Sequence, residues 1–187
     1  MKRAWLKVLG LGLTLSLALS GVAGAEVIKI GGIQPLTDWG AAAGNYIRNG
    51  AEIAVEKINA EGGINGKQLE LIVEDGRNDP AESLNAAQKL INRDEVSVLF
   101  GCWLSSATLA IIPTVERAGI PLVVETSGAD EITHPARQFV FRTSTLFSQE
   151  ANAARKAVKA LGVSKVSFIA QDNDFGRGSV QAFEKML

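Results

Sequence analysis

Two adjacent serines stand at the junction between an apolar segment and a helical pattern, in the stretch GCWLSSAT at residues 101–108. The preceding VSVLFG (96–101) is almost continuously apolar, which is typical of a strand covered on both faces. Ser105 and Ser106 therefore fall where a helix begins, so nearby backbone N–H groups have no intrahelical acceptor and the helix dipole is positive. Together these groups could hold an anionic oxygen. One serine could equally serve only as the helix N-cap.

Further candidate ligand contacts lie in loops that follow predicted strands. Trp39, in the glycine-flanked DWG, and Phe175, in DNDFGRG, are aromatic residues that could cover a ligand or pack on the domain surface. Thr126 and Ser127 follow the fourth predicted strand and offer hydroxyl groups, although with Gly128 they could also form a turn. In open α/β sheets ligands bind outside the carboxyl ends of the strands, so all these residues are candidates.

Signatures of enzymes and metal sites are weak in this sequence. There is no G-x-S-x-G nucleophile elbow and no G-x-x-x-x-G-K-[ST] phosphate loop. A Cys102–His134 nucleophile pair would need a reactive thiol, but the position of Cys102 beside a strand end favours a buried, inert one. No cluster of cysteine, histidine and carboxylate residues suggests a transition metal, and no cofactor is predicted.

The segments that must position these residues alternate between strand and helix along the chain. Strands are predicted at 27–34, 68–75, 96–101, 120–125, 139–143 and 165–171, and helices at 41–60, after Asp79, at 105–118, at 148–162 and at 176–187. Asp79, Pro80 and Glu82 form a capping box that marks the start of the second helix. This alternation predicts an α/β fold whose parallel sheet is built from βαβ units.

Residues 1–25 are interpreted as a secretory signal peptide and excluded from the fold. Three basic residues, Lys2, Arg3 and Lys7, precede an apolar stretch too short to span a membrane comfortably, and residues 23–25 fit a cleavage site. A membrane anchor is the less favoured alternative. Removal of these three basic residues changes the formal charge from −1 to −4, which argues against a nucleic-acid partner. The sequence therefore predicts an exported, periplasmic protein.

Four segments occur in an order that is known from one protein family. They are IKIGGIQPLTDWG, NGAEIAVEKINAEGGINGKQLELIVEDGRNDP, GCWLSSAT and DNDFGRG, and the likeness that they mark covers essentially all of residues 27–187. The sequence thereby resembles the periplasmic branched-chain amino-acid-binding proteins of ABC importers. The resemblance implies a type I periplasmic-binding fold, in which two lobes close on a ligand about a hinge. It also implies a nearly complete first lobe at residues 26–145 and the start of a truncated second lobe at 146–187.

The resemblance implies roles for particular residues. Ser105 matches the family serine that binds the ligand carboxylate, helped by a backbone amide near Thr126. Trp39 matches an aromatic residue over the ligand, and Phe175 matches an aromatic position of the second lobe. Gly128 stands where the family has a threonine whose hydroxyl takes the ligand ammonium, and a single cysteine excludes the first-lobe disulfide of some members.

The predicted function is capture of a small amino acid, or a related carboxylate, for delivery to an ABC permease of the inner membrane, without catalysis. Two alternatives stay open: a ligand-sensing amide- or urea-type binding protein of the same fold and, less favoured, an exported α/β hydrolase. Because the second lobe has only begun, the 187-residue chain alone is expected to bind ligand poorly and to aggregate.

Overall fold

The chain folds into a parallel sheet flanked by helices. A computed structural model describes residues 27–186, so the predicted signal peptide lies outside the described residues. The elements in chain order are β1 (Ile28–Gln34), α1 (Ala41–Ala60), β2 (Leu69–Asp75), α2 (Pro80–Asn92), β3 (Val98–Gly101), α3 (Ser105–Ala118), β4 (Leu122–Val124), β5 (Val140–Arg142), α4 (Phe147–Ala160) and α5 (Asp174–Met186). Single 3₁₀ turns lie at Asp38–Gly40 and Asp130–Ile132. The predicted α/β class is confirmed.

The strand order across the sheet is β2-β1-β3-β4-β5, and every neighbouring pair is parallel. The chain moves to one side of β1 to form β2 and then crosses to the other side to form β3. Loops that leave the carboxyl ends of β1 and β3 therefore diverge and open a crevice between them. Such a switch in strand order is where ligands bind in open α/β sheets.

The hydrophobic core lies between this sheet and helices α2 and α3. Leu90 of α2, Leu99 of β3, Ile111 and Val115 of α3 and Leu122 of β4 are all fully buried. The residues of β3 and β4 that face these helices are buried, whereas the alternate residues on the opposite face of the sheet are half-buried. Within residues 27–186, no helix combines the length and the apolar composition needed to cross a membrane.

The segment 165–171, predicted as a sixth strand, forms no regular secondary structure, so that prediction is wrong for this structure. Its residues are exposed, and Ile169 is completely accessible to solvent. β-branched and aromatic residues form a strand only where a neighbouring strand supplies hydrogen-bond partners for the backbone. None of the five described strands lies beside this segment, so its strand-forming pattern has no partner.

Helices α4 and α5 pack on each other and reach back to the core of the sheet. Phe147, the first residue of α4, is 3% exposed and belongs to the same hydrophobic cluster as the core of α3. A Cβ atom added to Gly128 would lie 2.2 Å from the Phe147 ring, so this glycine makes room for that ring. The predicted lobe boundary after residue 145 stays a prediction.

Candidate functional site

A cavity of about 250 Å³ opens at the carboxyl ends of β1, β3 and β4. Each of these strands contributes through the loop that follows it, and a fourth wall comes from the start of α5. The lining residues are Trp39, Trp103, Leu104, Thr126, Gln171 and Phe175. Of the six residues predicted from the sequence, Trp39, Thr126 and Phe175 are thus brought together at the switch in strand order.

Aromatic rings make up much of the cavity wall. Trp39 is 59% exposed and packs edge-on against the half-buried Trp103, with ring centroids 5.0 Å apart. Phe175 is 43% exposed and leans on the buried Phe147, again at 5.0 Å with nearly perpendicular rings. Edge-to-face contacts of this kind are favourable because the positive edge of one ring meets the negative face of the other. The cavity rings are therefore held in defined positions although they face solvent.

The loop that carries Trp39 is anchored to the end of β2 by Asp75. Its carboxylate accepts the Leu36 N–H at 2.8 Å, the Thr37 hydroxyl at 2.6 Å and the Arg77 N–H at 2.9 Å. Burial alone would raise the pKa of the Asp75 carboxyl, but these hydrogen bonds outweigh it and lower the pKa below 3.8. Asp75 therefore acts as a positioning residue for the aromatic wall.

Asp75→Asn is expected to lower the melting temperature at neutral pH, with a loss of about 1–2 kcal/mol in the free energy of unfolding. Because the folded-state pKa of Asp75 lies below its unfolded value, its contribution is present above that unfolded value and is lost as pH falls through the folded one. The melting temperatures of Asp75→Asn and of the unsubstituted chain should therefore converge as the pH drops below about 4. Glu70→Gln, at an exposed carboxylate of the same strand, is the control. A loss of melting temperature in Asp75→Asn that stays the same at low pH would contradict the stabilising role of the ionised Asp75 carboxylate.

The start of α3 has no side-chain cap. Its N-cap residue is Leu104, so neither serine occupies the capping position. The interpretation that one serine serves only as the helix N-cap is therefore wrong. Ser105 is fully buried, and its Oγ accepts the Ala129 N–H at 3.4 Å, which ties α3 to the loop after β4. Ser106 is half-buried, and no hydrogen bond of its hydroxyl is found among residues 27–186. Both serines directly follow Leu104, at the margin of the cavity.

The structure places Ser127 beneath the cavity and not in its wall. Its hydroxyl is buried and bonds the Cys102 carbonyl oxygen at 2.5 Å, the Trp103 carbonyl oxygen at 3.2 Å and the Thr108 hydroxyl at 2.7 Å. These contacts join the loop after β3 to the loop after β4. Ser127 therefore fixes the loop of Trp103, whereas its exposed neighbour Thr126 lines the cavity.

Ser127→Ala is expected to destabilise the chain by about 1–3 kcal/mol, because it removes a hydroxyl from a buried hydrogen-bond network with the Cys102 carbonyl oxygen and the Thr108 hydroxyl. Thr126→Val is the matched control, since it removes the neighbouring hydroxyl from the cavity and should leave the melting temperature nearly unchanged. Thermal denaturation followed by circular dichroism measures both variants. Equal melting temperatures for the two variants would show that the Ser127 contacts contribute nothing.

A buried polar pair lies at the floor of the crevice. Gln34, at the end of β1, is fully buried and its Nε2 donates to Glu125 Oε1 at 2.8 Å, across the end of β3. Burial raises the pKa of Glu125, and the hydrogen bond from Gln34 offsets this only in part. Burial, and then the nearby Glu125 charge, raises the pKa of the Cys102 thiol far above its usual range. The interpretation of Cys102 as buried is confirmed, and its thiol is not a nucleophile.

Sequence reasoning did not single out Trp103, Leu104 or Gln171 as site residues. The rule that ligands bind after strands covers the loops 101–106 and 171–176, which contain these three residues, but it did not separate them from their neighbours. Gln171 is the last residue of the segment 165–171 that was predicted as a sixth strand. Among the described residues, no group of histidine, cysteine and carboxylate side chains is arranged to hold a metal ion.

A family model described as periplasmic binding protein matches residues 27–187 of the chain. A Leu/Ile/Val-binding protein, BraC3, of Rhizobium johnstonii is 32% identical over 183 residues, which cover 97% of this chain and 49% of that protein. A Leu/Ile/Val-binding protein of Escherichia coli is 29% identical over 174 residues, which cover 92% of this chain and 47% of that protein. The chain therefore spans about half the length of the relatives it matches.

Solved structures agree with this result. LivJ of Streptococcus pneumoniae in complex with isoleucine has a TM-score of 0.79 at 29% identity, covering 86% of this chain and 47% of LivJ. A solute-binding protein of an ABC transporter from Rhodopseudomonas palustris, in complex with 3,4-dihydroxybenzoic acid, has a TM-score of 0.78 at 28% identity, with coverage of 86% and 43%. Both are described as solute- or substrate-binding proteins of transporters, and the predicted type I periplasmic-binding fold is confirmed. The chain belongs to the periplasmic binding protein family.

Proposed function

We propose that the chain is the ligand-capturing part of an exported solute receptor that delivers a small amino acid or related carboxylate to an ABC permease. The observation that carries this proposal is the cavity at the switch in strand order, where Trp39, Thr126 and Phe175 meet. The names of the relatives support the transport role. In this proposal, residues 1–25 direct export, 26–145 form the first lobe and 146–187 begin the second.

The ligand carboxylate binds at the start of α3. The N–H groups of the first helical turn have no intrahelical acceptor, and no side chain caps them. An anion there gains hydrogen bonds from the backbone and favourable interaction with the helix dipole. Ser105 and Ser106 add hydroxyl donors at the same place. The solved neighbours support a carboxylate ligand, because the isoleucine and the dihydroxybenzoic acid that they hold share a carboxylate.

Capture is a change in population and not a chemical reaction. Three walls of the cavity come from loops after β1, β3 and β4, and the fourth comes from Gln171 and Phe175 at the start of α5. A ligand in the cavity contacts both parts at once, so it stabilises the arrangement in which they lie close together. Delivery to a permease then depends on recognition of that closed arrangement.

Ser106→Ala is expected to weaken carboxylate binding about ten- to hundredfold, the effect of one lost hydrogen bond to a charged group, without a change in melting temperature. Ser105→Ala should weaken binding and also lower the melting temperature, because it removes the contact with Ala129. Binding is measured by thermal shift with a panel of amino acids, simple carboxylates, acetamide and urea. Stabilisation by acetamide or urea, but by no carboxylate, would favour the amide-sensing alternative. Because the chain alone is expected to bind weakly, each ligand is tested up to about 10 mM, and no stabilisation by any panel member at that concentration would overturn the proposed function.

A further inference from the structure

We infer that the solute held in this cavity carries a planar aromatic ring in addition to its carboxylate; this inference rests on the proposed function and specifies its substrate class. Three of the six lining residues are aromatic, and two of their rings, Trp39 and Phe175, are substantially exposed. Exposed rings that are fixed by neighbouring rings offer preformed surfaces for a third ring to pack against. The volume of about 250 Å³ lies just below the range of about 300–1,000 Å³ that is usual for small-molecule sites. It therefore suits a small ligand with a single ring.

The remaining lining residues of the described chain offer the ligand hydrogen bonds but no opposite charge. Thr126 and Gln171 offer a hydroxyl and an amide, and Leu104 is the one aliphatic side chain of the lining. An ammonium group that contacts only these residues would gain no ionic partner, and the Glu125 carboxyl at the floor of the crevice is buried and hydrogen-bonded to Gln34. The uncapped, positive start of α3 beside Leu104 further disfavours a cation and favours an anion.

An aromatic wall can also hold a quaternary ammonium group through cation–π contacts. Binding of an aromatic ligand therefore has to be distinguished from binding of a cation. The Trp39 and Trp103 rings pack directly on each other at 5.0 Å and form one wall. Cation binding would need that wall to offset the unfavourable dipole of α3, since the six described lining residues include no acidic side chain. An aromatic carboxylate uses both features together, since its ring packs on the wall and its anion meets the helix start.

The tryptophans provide a direct readout. The chain has three tryptophans, and the two outside the predicted signal peptide, Trp39 and Trp103, both line the cavity. Intrinsic fluorescence therefore reports occupancy of the cavity, even at dissociation constants of about 1 mM. The probes are benzoate, cyclohexanecarboxylate, isoleucine and glycine betaine. Benzoate and cyclohexanecarboxylate have the same carboxylate and a similar size, and they differ in the planarity and π-electrons of the ring.

Benzoate is expected to bind at least about tenfold more tightly than cyclohexanecarboxylate or isoleucine, and betaine is expected not to bind. If cyclohexanecarboxylate or isoleucine binds as tightly as benzoate, the aromatic inference is overturned while the proposed function stands. If betaine binds most tightly, the cavity is a cation site and the inference is again overturned. If no probe binds, the proposed function itself fails along with the inference.

Phe175→Leu separates a role in recognition from a role in stability, because Phe175 is partly exposed. This variant should reduce the preference for benzoate over cyclohexanecarboxylate to about threefold or less, mainly through weaker benzoate binding. Phe141→Leu is the control, since Phe141 is 53% exposed on β5 and does not line the cavity. An unchanged preference in Phe175→Leu, or an equal loss in Phe141→Leu, would overturn the inference.

Discussion

Gly101→Ala is expected to prevent stable folding of the chain. Gly101 ends β3 with a φ of 126°, a conformation that residues with a side chain rarely adopt. A Cβ atom at this position would lie 2.4 Å from the Ile33 carbonyl oxygen of β1, and neither strand can move aside within the sheet. Strain and overlap together should cost about 4 kcal/mol or more, a large share of the total stability of an ordinary domain.

Gly66→Ala is the matched control for this prediction. Gly66 also has a positive φ, 80°, but no atom lies within 4 Å of the added Cβ. It should therefore show conformational strain alone, at about 1–2 kcal/mol. Chemical denaturation followed by circular dichroism measures both variants. Similar losses in the two variants would mean that the close approach of β1 and β3 at the cavity floor is not rigid.

Ile169→Lys is expected to reduce aggregation of the chain several-fold. Between residues 161 and 170 the exposed side chains include Leu161 at 77%, Phe168 at 39% and Ile169 at 104%. This segment has strand-forming residues but no strand neighbour among the described elements, so its backbone groups are open to pairing with another chain. A lysine at the most exposed apolar position opposes such pairing.

Ile53→Lys provides the comparison for aggregation. Ile53 is 66% exposed on α1, where the helix already satisfies the backbone hydrogen bonds. Light scattering against protein concentration should show improvement for Ile169→Lys and little change for Ile53→Lys. An equal improvement from both variants would attribute aggregation to general surface hydrophobicity. A chain that stays monomeric at about 100 μM would contradict the predicted association altogether.

The alternation of elements could be predicted because its signals are local. Asp79 is confirmed as an N-cap, accepting the Ala81 and Glu82 N–H groups at 2.8 and 2.9 Å. Gly119 ends α3 in the left-handed conformation, with a φ of 68°. Apolar runs predicted β3 and β4, since central strands of a parallel sheet are typically apolar. Each of these patterns depends only on residues a few positions apart.

The site was only partly predictable, because its contacts join distant parts of the sequence. The rule that ligands bind after strands placed Trp39, Thr126 and Phe175 at one edge of the sheet, and the structure brings them together there. Whether Ser127 faces the cavity or the interior depends on Cys102, 25 residues earlier, which no local pattern reveals. In the same way, strand formation at 165–171 depends on a neighbouring strand, and the pattern of the segment itself does not supply one.

The central claim is that Trp39, Trp103 and Phe175 line a single solute-binding cavity. Fluorine NMR of chain labelled with 5-fluorotryptophan tests it directly, with Trp39→Phe and Trp103→Phe used to assign the two resonances. On titration with benzoate, both resonances should shift and saturate at one common dissociation constant, and Phe175→Leu should raise that constant for both. Resonances that stay fixed up to about 10 mM, or that move independently without saturation, would contradict the claim.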